Sequence, residues 1–252
     1  MPSPAAPAAP EFTCDQLGRH RIWQPARGYR FSIDSVLLAD FAPRVRDPVA
    51  DLGAGCGVLC LLLAARGMKG PFTAVELDPL AAECCRRNFA QAGLEGVVLE
   101  QDLARPAPEL SSGGFALVIS NPPFTRRGHG RVPPDPARAR ARHELSLEAP
   151  VLWESAARLL PPGGRLALCC PPARLDEVLA GLAGARLRPK RLRLVHGRLE
   201  RPASLALVEA AKDGRPQLTV EPPLVVYGRG QEYSPQTAAI YQRLCGPFSP
   251  PA

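Results

Sequence analysis

The chain has no apolar run approaching the ~18 residues that would span a bilayer. It also opens without the charged-then-apolar pattern of a secretory leader, so the expectation is a cytoplasmic protein that does not enter a membrane. No Cys-x-x-Cys occurs among its eight cysteines, at 14, 56, 60, 84, 85, 169, 170 and 245, and four of them form two adjacent pairs. Such spacing suits neither a zinc ribbon, nor a redox motif, nor a disulfide framework. These residues are read as small apolar side chains packed in a reducing compartment, and no metal site is expected. Internal repeats are absent. Acidic residues fall short of basic ones, 24 against 31, which leaves a net charge of +7, and nearly all the cations are Arg. The balance leans toward an acidic partner such as nucleic acid, although where the charge sits matters more than its size.

What the chain does have is the length and apolar content for a real core: 252 residues, 46% apolar and 22% charged. Both ends are proline-rich, from Pro2 to Pro10 and from Pro247 to Pro251. Residues 1–11 and 247–252 are therefore expected to be disordered tails around one domain at 12–246. Short apolar strands are read at 48–52, 72–76, 97–100, 115–119 and 165–170, with a final pair around 191–196 and 203–210. Helices are read at 35–42, 58–65, 78–92, 147–160 and 174–183, and the end at 218–244 as an extra strand plus a short helix. Asp78 stands as an N-cap, with Pro79 at the first helical position and Gly93 as the stop. The alternation implies an α/β fold, a doubly wound and mostly parallel seven-stranded sheet whose last strand is antiparallel.

The first strand of that series ends in Asp51 and runs directly into Gly53-Ala54-Gly55-Cys56-Gly57 before a helix. Glycines at a strand-to-helix turn let the backbone approach a ligand that a β-carbon would keep away. Glu76 ends the second strand, where a carboxylate can accept both hydroxyls of a ribose. Asp102 follows the third, where it can accept from an adenine amino group. A nicotinamide dinucleotide would also use Glu76, but its pyrophosphate prefers Gly-x-Gly-x-x-Gly to the Gly-x-Gly-x-Gly found here. A negative Asp51 beside the loop suits a ligand with a cationic amino-acid portion. Together these residues resemble the S-adenosyl-L-methionine site of class I methyltransferases, which are Rossmann-like. The resemblance implies cofactor contacts by Asp51, Gly53, Ala54, Gly55, Gly57, Glu76, Leu77, Asp102 and Leu103, with Asn121 beside them.

The fourth strand stops at Asn121-Pro122-Pro123-Phe124. The two prolines fix the backbone and remove two N–H donors, leaving carbonyls as the backbone's hydrogen-bonding groups there. The Asn121 side-chain carbonyl and the Pro122 carbonyl can each accept one hydrogen of a planar –NH2. That draws the nitrogen toward tetrahedral geometry and frees its conjugated lone pair, while Phe124 offers a face for stacking. No strong base is needed, because positioning and preorganised charge supply the acceleration. Alone, the tetrapeptide would read as a tight turn. After such a strand it resembles the motif of amino-methyltransferases acting on adenine N6, guanine N2 or protein glutamine.

A polar loop at about 125–145 follows, carrying Arg126, Arg127, Arg131, Arg138, Arg140 and Arg142 with His143. A cationic loop beside a reacting amine would hold a phosphate backbone; the plainer reading is a solvated loop in an Arg-rich protein. An adenine exposed in an RNA loop would be splayed out and stacked on Phe124.

Gly28-Tyr29-Arg30-Phe31-Ser32-Ile33-Asp34 precedes the helix containing Val36-Leu37-Leu38-Ala39, and Arg142-His143-Glu144 precedes a later helix. With these segments the chain, over roughly residues 16–240, closely resembles the tRNA1(Val) (adenine-37-N6)-methyltransferases. The resemblance implies methylation of an anticodon-loop adenine, tRNA as partner, and Phe31 and Asp34 closing over the methionine end of the cofactor. The tails and the insert from Pro133 to Ala137 are less family-like. Protein-glutamine methyltransferases of release factors usually carry an N-terminal helical domain and a Tyr after the prolines, where this chain has Phe124. An rRNA guanine-N2 methyltransferase would be expected to bring a duplicated or RNA-binding domain. A non-catalytic cofactor-fold protein would not need Asp51, Glu76 and Asn121 together. Oligomeric state has no signature in the sequence.

Overall fold

Val49–Leu52 and Leu117–Ser120 are wholly buried neighbours. Continuous apolar runs take this place when both faces of a parallel sheet are covered. The computed structural model describes residues 11–27, 30–46, 48–105, 108, 110–122 and 149–246. In chain order these form a hairpin of β1 (Phe12–Leu17) and β2 (His20–Pro25), then α1 (Ile33–Phe41), β3 (Val49–Leu52), α2 (Val58–Ala65) and β4 (Phe72–Glu76). Next come α3 (Pro79–Ala92), β5 (Gly96–Glu100), β6 (Leu117–Ser120), α4 (Ala149–Leu159) and β7 (Arg165–Cys170). The chain ends with α5 (Leu175–Gly184), β8 (Leu187–His196), β9 (Ala203–Lys212), β10 (Thr219–Val220), β11 (Leu224–Val225) and α6 (Pro235–Cys245).

The main sheet has nine strands in the order β10-β8-β9-β7-β6-β3-β4-β5, with β11 also on β8. Only β9 runs antiparallel to its neighbours, β7 and β8. The seven expected strands are present, and two-residue β10 and β11 bring the count to nine by pairing in parallel with β8. Along β3, Val49 faces the layer of α1, α2, α3 and α6, while Ala50 and Leu52 face α4 and α5. This two-residue period turns Asp51 toward the first layer. Helix starts follow the local chemistry. Ser32 caps α1, accepting from the Asp34 N–H, and Asp78 caps α3, accepting from the Leu80 and Ala81 N–H groups ahead of Pro79. Gly93 ends α3 in the left-handed region at φ +63°.

The hairpin is a departure from the sequence reading. It packs on α3, and one buried side chain holds it there. Asn88 Oδ1 accepts from the Trp23 N–H at 2.8 Å, and Nδ2 donates to the Trp23 carbonyl at 2.9 Å and to the Cys56 carbonyl at 2.8 Å. Gln24 then ties the hairpin to the stretch before α1, accepting from the Phe31 N–H at 2.9 Å and donating to Asp15 at 2.6 Å. At the other end of the hairpin its turn is latched to α6: Arg19 N–H donates to the Cys245 carbonyl at 2.6 Å, and His20 Nε2 lies 3.0 Å from the Leu244 carbonyl. Gly18, at φ +57°, sits where a β-carbon would run into the Cys245 carbonyl.

All eight cysteines are free thiols, seven of them buried. No helix among the described residues is long and apolar enough to cross a membrane. The tails expected at 1–11 and 247–252 lie outside the described residues except for Glu11, whose carbonyl accepts from the Ala26 N–H at 2.8 Å. Residues 147 and 148, expected to open α4, also lie outside them.

Asn88→Ala leaves three backbone groups of the hairpin and glycine loop without a partner. It is expected to lower unfolding free energy by about 2–4 kcal/mol, read by urea denaturation.

Candidate active site

The order β6-β3-β4-β5 places four parallel strand ends side by side, and the chain reverses its direction of travel across the sheet between β3 and β6. Ligands of open α/β sheets bind in the crevice outside such a switch point. Asn121 follows β6, Asp51 lies in β3, Glu76 ends β4 and Asp102 follows β5. Three inter-strand steps of about 4.8 Å spread them over about 14 Å.

Asp51 is 0% exposed. Its Oδ2 receives the Cys60 thiol at a long 3.8 Å, and Oδ1 has no partner. Burial above all, then the nearby Glu76 charge, pushes its carboxyl up to about 8, which the Cys60 contact only partly offsets. A buried carboxylate oxygen left unsatisfied is costly, and a bound cation would compensate it. The turn beyond it takes the left-handed conformation at Gly53, Gly55 and Gly57, with φ of +71°, +56° and +77°. Nothing lies within 4 Å of where a Gly55 β-carbon would stand, so open space adjoins the turn, whereas at Gly57 a β-carbon would come to 2.5 Å from Cys85 Sγ. Glu76 is fixed by three backbone donors, Gly55 N–H on Oε2 at 2.7 Å and the N–H groups of Leu77 and Asp78 on Oε1 at 2.8 Å each. Burial raises its carboxyl despite those bonds. A buried carboxyl group with one unpartnered oxygen, an open glycine turn and an oriented second carboxylate fit a ligand that carries an ammonium group and a ribose.

Asp102 is less committed to a ligand than the sequence implies. Its Oδ1 accepts from the Ala104 N–H at 2.9 Å and Oδ2 faces Arg105 at 3.9 Å, with the side chain 42% exposed. Leu103 beside it is buried, and its carbonyl accepts from Ser155 Oγ at 3.3 Å. Ala54 is buried under the glycine turn.

Asn121 is held from two elements. Its Nδ2 donates to Ser35 Oγ in α1 at 3.2 Å, and its Oδ1 accepts from the Cys169 thiol in β7 at 2.9 Å. Burial first, then the charge of Asp34, pushes the Cys169 thiol well above its ordinary range, which keeps it a protonated donor. Pro122 is buried; Pro123 and Phe124, and all of Arg126, Arg127, Arg131, Arg138, Arg140, Arg142 and His143, lie outside the described residues. Phe31 is partly buried against the core, and Asp34 sits in the first turn of α1 beside Ser35. Gly28 and Tyr29 lie outside the described residues. Sequence reasoning missed Ser35 and Cys169. The one signal was that β7 ends in Cys169 and Cys170 next to the strand carrying Asn121. Among the described residues no three His, Cys, Asp or Glu come together as a metal site.

Fold and cleft define a class I S-adenosyl-L-methionine-dependent methyltransferase. The model of the methyltransferase small domain matches residues 32–171, more than half of the chain. A tRNA1(Val) (adenine(37)-N6)-methyltransferase of Porphyromonas gingivalis is 33% identical, over 91% of this chain and 92% of its own length. The enzyme of the same name from Tolumonas auensis is 35% identical, over 91% and 94%. Among solved structures, one titled a predicted O-methyltransferase from Agrobacterium tumefaciens is similar at a TM-score of 0.66 with 27% identity, covering 83% of this chain and 96% of that one. The chain belongs to the methyltransferase small-domain family and, within it, to that of the tRNA1(Val) (adenine(37)-N6)-methyltransferases.

Because the folded Asp51 holds its proton up to about 8 against an ordinary value of 3.8, its share of stability is present below the lower value and lost as pH rises through the upper one. The melting temperature of the ligand-free protein is therefore expected to fall relative to that of Asp51→Asn across this window. Above it the difference should stay constant, as thermal unfolding at a series of pH values would show.

Proposed function

We propose that this enzyme transfers the methyl group of S-adenosyl-L-methionine to the exocyclic N6 of an adenine in a tRNA anticodon loop, with residues 12–246 acting as one catalytic domain. The observation that carries this reading is the side chain of Asn121, fixed between Ser35 and Cys169 at the end of β6. An amide is no proton acceptor of useful strength, so it cannot activate a hydroxyl. It can, however, orient an amine that needs no base before transfer.

When bound, S-adenosyl-L-methionine supplies an electrophilic methyl on a sulfonium centre. Asp51 would take its ammonium group. The turn of Gly53, Ala54, Gly55 and Gly57 would lie along its amino-acid portion. Glu76 with Leu77 would hold the ribose, and Asp102 with Leu103 the adenine. Phe31 and Asp34 would cover the methionine end. On the acceptor side, Asn121 Oδ1 and the Pro122 carbonyl receive the two amino hydrogens, so the lone pair of the nitrogen turns toward the methyl group. Cys169, by donating to the same Oδ1, and Ser35, by receiving Nδ2, set the plane of the amide before substrate arrives. Pro123 and Phe124 complete the motif, Phe124 as the stacking face. The proton is lost to solvent once the new N–CH3 bond has made the nitrogen acidic. Arg126, Arg127, Arg131, Arg138, Arg140, Arg142 and His143 would hold phosphates on either side of the target. A tRNA substrate places the enzyme in the cytoplasm.

Incubation with labelled S-adenosyl-L-methionine and, separately, unmodified tRNA, rRNA and release factor should put label in N6-methyladenosine of tRNA. Label in glutamine or in N2-methylguanosine would overturn the reading. Asn121→Ala is expected to abolish turnover while leaving the cofactor dissociation constant within about threefold, because its removal takes away an acceptor-side contact. Charge reversal at Arg138 or Arg140 should weaken tRNA binding and lower the slope of log K against log salt by about one. An unchanged slope would make the loop a solvated surface.

A further inference from the structure

The end of the sheet that carries Asn121 also carries an ordered surface that the reaction does not use. β8 runs parallel to β7 and β6 across the antiparallel β9. The turn 197–202 after β8 and the loop 226–234 after β11 therefore open on the same edge as Asn121. Four inter-strand steps of about 4.8 Å separate β11 from β6, about 19 Å along that edge.

Three tyrosine rings form a continuous stack here. Tyr241 of α6 is buried; Tyr233 stacks on it with centroids 4.9 Å apart, and Tyr227 stacks on Tyr233 at 5.8 Å. Tyr227 is 39% exposed and has Tyr233 on only one side, so its other face looks outward. The loop around it is locked by its own bonds. Tyr227 N–H donates to the Gly197 carbonyl at 3.0 Å, and Arg198 donates to the carbonyls of Gly228 at 2.9 Å and Gly230 at 2.5 Å. Glu232, the loop's own acid, is exposed and accepts from the Gly230 N–H at 3.1 Å. Arg201 in the turn after β8 and Arg229 in the loop after β11 are exposed and form no ion pair with another described residue; the exposed acids of the same turn and loop are Glu200 and Glu232.

We propose that Tyr227 is a stacking platform for an unpaired RNA base next to the target nucleotide's loop, with Arg201 and Arg229 meeting the adjoining phosphates. The proposal rests on the reading of RNA as substrate. A flat aromatic face held rigid from behind, in a turn and loop that carry exposed guanidinium groups, takes any base, since every base has a π face. The core behind it matters because a platform that is already ordered loses little entropy on binding. At about 19 Å from Asn121 it lies too far for the base that is methylated, so it would grip the RNA at a second point and orient the loop over the cleft.

The test is binding of an unmodified anticodon stem-loop RNA, measured by fluorescence anisotropy, with S-adenosyl-L-methionine binding measured in parallel. Tyr227→Ala should raise the RNA dissociation constant about tenfold, while Tyr227→Phe, which keeps the ring, should stay within about twofold. A 2-aminopurine placed through the loop should be quenched by wild type at one position and not by Tyr227→Ala. The affinity for S-adenosyl-L-methionine should not move, and unchanged thermal unfolding would show that the stack behind the ring persists. If wild type binds RNA and Tyr227→Ala binds it equally well, the platform is overturned and the RNA reading stands. If wild type binds no RNA and methylates release factor instead, both fall.

Discussion

A buried carboxyl group with one oxygen unsatisfied sits at the centre of this molecule. Asp51 lies in β3, between the parallel strands β6 and β4 that end at the cleft, and its Oδ1 has no hydrogen-bond partner among the described residues. A fold tolerates such a group when the remaining interactions over-determine its position. Here they do: Val49, Ala50 and Leu52 are sealed between two helical layers, and the next residues enter a turn that only left-handed glycine conformations can make. The unsatisfied oxygen and the glycine turn lie at the same strand end. Stability given up at that strand end is recovered when a cationic ligand fills it, which couples occupancy of the cleft to firmness of the core.

The acceptor side follows a different logic. No charge is buried at Asn121; the device is geometric. A neutral amide is locked by a hydroxyl from one layer and a thiol from the adjoining strand, and the thiol serves because burial keeps it protonated. The two halves of the cleft thus divide the work, one holding charge in reserve and the other holding direction.

Local chemistry was legible in the sequence wherever one residue acts on its near neighbours. The strand from Phe72 to Glu76, the cap by Asp78 with Pro79, and the stop at Gly93 stand where composition puts them. The succession of Asp51, Glu76, Asp102 and Asn121 along neighbouring strands was readable too, because parallel α/β sheets order their strand ends by rule. What could not be read depends on distant approach. Ser35 and Cys169 reach Asn121 across 86 and 48 residues, and beyond the position of Cys169 at the end of β7 nothing in the sequence marks either for that contact. The hairpin at 12–25 escaped because its holding group, Asn88, lies 65 residues on, inside a helix. At Asp102 the sequence shows the position after β5 but not that one oxygen closes its own turn.

The latch between the hairpin and α6 bears on how the chain assembles. His20 meets Leu244 across 224 residues, while each βα unit of the sheet closes over a few tens. Contacts that span so much chain carry a large loop-closure cost and form after the local ones have shortened the path. The hairpin is therefore secured later than the βα units that follow it in the chain. Until residues 244–245 arrive, the strand that braces α3 and the glycine turn through Asn88 has only one of its two anchors. Docking of α6 against the hairpin turn supplies the second anchor for the cofactor end of the cleft.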